Sequence, residues 1–272
     1  MNGPARLLAL VVALGATGIL MAAAPAGTPR MPDGRPDFNG TWENGSGIEF
    51  IQPVTRADGS VCVTGCTPGA PASAAAAAAR APVPAIGTPR PKYRPEFAAR
   101  VEDLKKRQQK EDGVLRCQPP GVPRIGPPDK IMQTSREIVF LYEDVSGPFF
   151  RIVPLKAGVK RADDSESYLG DAQGHWEGDT LVVVSRNFND LTWLTDDGAF
   201  HSNALVVTEK LTRHGNEIEW LALADDPKVL AEPWQLRPRR MALTDVEMAE
   251  PAPCVEQDMA HMKDDSYHSN PR

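Results

Sequence analysis

From Cys117 to Leu243 the chain is a succession of short apolar runs separated by turn residues at hairpin spacing, a pattern that predicts antiparallel β architecture. The predicted strands are Lys130–Gln133, Glu137–Asp144, Phe149–Leu155, Thr180–Phe188, Asn203–Leu211, Ile218–Ala224 and Arg239–Leu243. Ser146-Gly147-Pro148 and His214-Gly215-Asn216 supply tight connections between neighbours. The expected fold is mostly β: an antiparallel barrel with one N-terminal helix and a low-complexity insert. About 140 residues of core are ample for one hydrophobic domain.

The rest of the chain divides by composition. Residues 1–27 read as an export signal, with Arg6, the apolar stretch Leu7–Met21 and then Ala22-Ala23-Ala24 for cleavage. That stretch is about fifteen residues and is broken by Gly15 and Gly18, short of the roughly twenty a membrane span needs. The mature chain is therefore expected to be periplasmic or secreted, with no stable membrane insertion. Residues 28–66 are a polar entry segment with the first strand, and 67–94 an Ala/Pro-rich insert with too little bulk to bury. A helix is predicted over Pro95–Gln109, where Phe97, Val101 and Leu104 fall at i, i+4 and i+7. Helix and barrel core together span 95–258, and 259–272 form a polar tail.

Four cysteines in an exported chain suggest two disulfides, Cys62 with Cys66 and Cys117 with Cys254. A zinc site is the rival reading, but the spacings match no common finger. The five histidines show no H-x-H or H-x-x-x-H spacing, and no calcium loop, phosphate loop, nucleophile elbow or dinucleotide fingerprint is present, so neither metal nor cofactor is expected. The net charge of −6, with basic residues scattered rather than striped, argues against nucleic acid as a partner.

Chemistry concentrates between Gly174 and Glu209. Two apolar strands flank roughly fourteen residues rich in polar groups, where a hairpin needs only about two to five. His201 lies at the end of this connection, with Asp190, Asp196 and Asp197 as its expected partners. A His–carboxylate pair of that kind could act as general acid or base near neutral pH. Asn189 and Trp193 in the same loop are candidate ligand contacts.

Strand parity puts Glu209 on a face with Leu205, Val207 and Leu211. A carboxylate there needs a partner, and a two-residue Gly215-Asn216 turn would place it opposite Ala222. Arg186 and Arg151 are the candidate cations. Glu209 reads either as half of a structural ion pair or as a functional group. His201 cannot reach it along one strand, since eight residues span about 26 Å. A three-residue Ser146–Pro148 turn would set Glu143 across from Arg151.

Several motifs are specific. Pro32–Trp42, Cys117–Arg124, Trp176–Val183, Phe188–Leu194, His201–Glu209 and Asp225–Trp234 resemble the motifs of a large group of exported bacterial proteins of mostly unassigned function. The Gly40-Thr41-Trp42 element also resembles the first strand of lipocalin-like barrels, whose Trp plugs one end. The resemblance implies a lipocalin-like barrel and carries no particular reaction. Two functions compete on these residues. One is a cofactor-independent lyase, isomerase or hydrolase acting on a small, partly apolar molecule, with His201, Asp190, Asp197 and Glu209 as catalytic groups. Trp42, Arg151, Arg186, Asn189 and Trp193 would then contact the ligand. The alternative is a small-molecule binding protein without turnover, and a structural envelope module is a third reading.

Overall fold

A computed structural model describes residues 27–44, 54–55, 61–62, 89–159, 165–250 and 254. The expected export signal up to residue 26, most of the insert, Cys66 and the polar tail lie outside the described residues. The strands are β1 (Gly40–Glu43), β2 (Val54–Thr55), β3 (Val61–Cys62), β4 (Lys130–Gln133), β5 (Glu137–Asp144), β6 (Gly147–Pro154), β7 (Asp171–Glu177), β8 (Thr180–Arg186), β9 (Val206–His214), β10 (Glu217–Asp225), β11 (Trp234–Gln235) and β12 (Arg239–Thr244). β2 and β3 form a separate pair. The others form one antiparallel sheet in the order β6-β5-β4-β1-β12-β10-β9-β8-β7, with β11 beside β10. The sheet curls into a nearly closed barrel of nine strands, as the periodicity predicts.

Alternation builds the core. Ile138, Phe140 and Tyr142 of β5, and Val207, Glu209, Leu211 and Arg213 of β9, are buried while their neighbours along each strand are not. Odd strand number has a geometric consequence. Each neighbour runs antiparallel to the last, so β6 and β7 point the same way and could close only as a parallel pair. Among the described residues no ladder joins them. The barrel is pinched there instead by side chains: the Gln173 amide donates to Pro154 O at 2.6 Å. Gly174 matters at this point, because a Cβ on it would lie 2.8 Å from Val153 Cγ1.

Both ends are plugged. Trp42 fills one, its indole donating to Phe38 O at 3.0 Å, with the Arg213 guanidinium 5.0 Å from its ring centre. The other end is covered by the long β8–β9 connection and by helix α1 (Ala98–Lys106). Tyr93 and Phe97 pack on Phe200 of that connection at 5.2 and 5.8 Å between ring centres. The helix predicted over Pro95–Gln109 is interrupted. A 3-10 turn at Pro95–Phe97 precedes α1, and Arg107 leaves helical geometry before a short α2 (Gln108–Glu111). A Cys117–Cys254 disulfide, S–S 2.10 Å, joins the stretch before β4 to the chain beyond β12. No helix among the described residues is long and apolar enough to cross a membrane.

Two expectations need correction. The β5–β6 turn is two residues, not three: Asp144 pairs with Gly147. The Asp144 carboxylate accepts from both Ser146 N and Ser146 Oγ, at 2.9 and 2.6 Å, which tightens the turn. The register consequently shifts, Arg151 faces Phe140, and Glu143 faces Pro148 on the outer surface. The expected Glu143–Arg151 pair is not formed. β7 has no counterpart among the predicted strands. Its Asp171-Ala172-Gln173-Gly174-His175-Trp176-Glu177 lacks β-branched residues, and its only signal is the inward series Ala172, Gly174 and Trp176.

Candidate functional site

Among the described residues the barrel interior holds an ionic network built on Glu209 and Arg151. Glu209 stands opposite Ala222, as the Gly215-Asn216 turn requires, and points inward. Arg151 reaches it from β6: Nη2 donates to Glu209 Oε2 at 2.6 Å and to Ser185 Oγ at 2.8 Å. Nη1 donates to the Tyr142 hydroxyl at 3.0 Å, and Trp220 Nε1 donates to Glu209 Oε1 at 3.1 Å. Of the two cations that sequence offered Glu209, Arg151 is the partner. Burial is the largest influence on Arg151 and opposes its charge, but Glu209 and Tyr142 together outweigh it and hold the guanidinium pKa above its ordinary value. Burial also raises the Tyr142 phenol, which stays protonated. Arg151 Nε is buried with no hydrogen-bond partner among the described residues.

The long connection is a plug rather than an open loop. Trp193, Leu194, Phe200 and Leu205 are buried, and Leu194 N donates to Ala199 O at 2.6 Å across a small hairpin. His201 is 2% exposed. Its Nδ1 lies 2.9 Å from Ser202 O, a carbonyl, so Nδ1 carries the proton. Nε2 is then an acceptor, and the Thr192 hydroxyl donates to it at 2.6 Å. Thr192 can occupy that place because residue 121 is glycine: a Cβ there would lie 2.4 Å from Thr192 Oγ1. Burial lowers the His201 pKa, offset in part by its Ser202 contact and by the charges of Asp226 and Asp190.

The expected His201–aspartate pair is therefore absent. Asp190 is exposed and acts on His201 through charge alone. Asp197 pairs with Arg90 and accepts from Thr195 Oγ1. Asp196 accepts from Arg124 Nε at 2.7 Å, and the same guanidinium grips the buried Asp112 with both Nη atoms. Asn189 stays in the backbone framework, with its side chain accepting from Leu191 N at 3.2 Å. Trp193 is buried under Arg124, 5.9 Å from ring centre to guanidinium. Asp226, which lies within the Asp225–Trp234 motif, also takes part. It is fully buried and accepts from Ser202 N, Ser202 Oγ and Lys228 N, tying the plug to the chain after β10.

The large opening lies elsewhere, over the β6–β7 seam. Beyond the Gly174 pinch the two strands part, and a solvent-open cleft of about 1040 Å³ follows them. Outward-facing Phe150, Ile152, Gln173, Val184 and Arg186 form its walls, with Val159 and Ser167–Gly170 on the connection from β6 to β7. Inward-facing Arg151 and Ala172 also line it, which places them at its floor. The walls are mainly apolar. Phe150 and Ile152 are 63% and 50% exposed there.

The site residues expected from sequence thus separate into four places. Arg151 and Glu209 meet inside the barrel, Arg151 and Arg186 share the cleft, His201, Asp197 and Trp193 belong to the plug, and Trp42 lies at the far end. Among the described residues no group of three or more His, Cys, Asp or Glu is placed to hold a metal ion. Compared with protein-family models, curated proteins and solved structures, the chain matches none of them.

Proposed function

We propose that the protein binds a small, mainly apolar molecule, without turnover, in the cleft over the β6–β7 seam. The observation that carries this reading is the coincidence of a large apolar-walled opening with the one place where the barrel lacks a strand ladder, among the described residues. An acid–base enzyme has less support. His201 is buried, engaged at both ring nitrogens and paired with no aspartate. With the expected export signal, the reading becomes a periplasmic or secreted small-molecule binding protein, and the motifs that resemble exported bacterial barrel proteins agree with it.

Native mass spectrometry after incubation with a pool of apolar small molecules tests this. The expected result is one unaltered molecule retained per chain. A Phe150→Glu/Ile152→Glu variant places charge on the cleft wall without touching the core, and should weaken retention by about tenfold or more. Equal retention by the variant, or none by the parent protein, would contradict the proposal.

A further inference from the structure

We infer that the chain's own C-terminal segment, residues 255–272, docks on the apolar wall of the cleft and competes there with the ligand; the docking stands on its own, and the competition rests on the reading of the cleft as the ligand site. The apolar wall is wider than the cleft. Phe150 and Ile152 of β6 pair with Leu141 and Val139 of β5, and Val139 pairs in turn with Met132 of β4. All five face outward, with Phe150, Ile152 and Met132 exposed and Leu141 and Val139 half-buried. A contiguous apolar cluster on an outer sheet face marks a surface that something covers.

The path of the chain points to the occupant. After β12 it crosses the outer face of the sheet toward β6. The Glu247 carboxylate accepts from Thr41 Oγ1 of β1 at 3.3 Å and from Lys130 Nζ of β4 at 2.6 Å. Ala249 N donates to Glu143 of β5 at 3.0 Å, and Glu143 faces Pro148 of β6. Cys254 is then held by Cys117, two residues before Pro119, which lines the cleft. Residues 255–272 lie outside the described residues, and they depart from the margin of the cleft. Two residues span at most about 7 Å and an extended segment of this length about 60 Å, so the wall is within reach. The residue types fit as well. Val255, Met259 and Met262 fall at i, i+4 and i+7, the spacing by which a helix offers one apolar stripe to a groove. Methionine also adapts to irregular apolar surface. Tethering at Cys254 raises the local concentration of the segment, so modest contacts suffice to hold it.

Methyl NMR of the full-length oxidised chain, labelled at methionine, tests the docking. The Met259 and Met262 methyls, assigned by Met→Leu substitution, should show nuclear Overhauser contacts to Phe150 and Ile152. Absence of these contacts would overturn the inference. So would a dimer in sedimentation that Phe150→Glu/Ile152→Glu dissociates, because a second copy would then cover the wall. Competition is read with the neutral fluorescent probe N-phenylnaphthylamine. A Met259→Asp/Met262→Asp variant, altered outside the core, should bind it about tenfold tighter than the parent protein, the change expected if the segment covers the wall about nine-tenths of the time. Methyl contacts together with equal probe binding by both proteins, or with none by either, would uphold the docking and overturn the cleft as a ligand site.

Discussion

Glu209 shows how much a single residue can be read from strand parity. Period-two counting put it on an apolar face, and its place opposite Ala222 followed from the turn after β9. Choosing Arg151 over Arg186 required the fold, because the two lie on strands far apart in sequence. Sequence reasoning also set Arg151 in the wrong register. The Asp144 side chain tightens the preceding turn, and such competition between side chain and backbone is not visible in hydrophobic pattern. The buried pair makes a sharp energetic prediction. Glu209→Leu alone strands a buried guanidinium and should cost about 3–5 kcal/mol, whereas Arg151→Met/Glu209→Leu removes both charges and should recover most of that loss. Urea unfolding of the two singles and the double gives the coupling directly. Additive losses would mean that the pair is not energetically linked.

At the scale of elements, the β8–β9 connection is the instructive case. Its length and polar content drew attention as a site, yet Trp193, Leu194, Phe200 and Leu205 are apolar and buried. Those apolar residues stand in the sequence, but loop periodicity cannot show which way a side chain faces. Partners settle it: Arg124 on Asp196 and Asp226 on Ser202 from other segments, and Thr192 on His201 within the connection itself. His201 makes the plug acid-sensitive. Burial lowers its pKa, so the folded protein keeps it neutral while the unfolded chain takes up a proton near its ordinary value of 6.5. Its contribution is complete above about that pH and is lost as pH falls below it. The thermal midpoint should therefore drop between neutral pH and mild acid by more in the parent protein than in His201→Asn. Parallel pH profiles would remove His201 from this role.

For the whole molecule, barrel class and most strands were legible because alternation and hairpin turns are local signals. The seam was not. It depends on the count of strands around the barrel, which includes the unpredicted β7, and on the parallel meeting of β6 and β7 that an odd count imposes. The cleft therefore runs along the side of the barrel, its lining reaching Asn187 at the start of the β8–β9 connection. Backbone amide shifts followed by NMR during titration with an apolar ligand locate binding most directly. The largest changes are expected at residues 150–152, 168–173 and 184–187, which border the cleft. Changes confined to residues 190–202 of the plug, or to the surroundings of Trp42, would contradict binding at the seam.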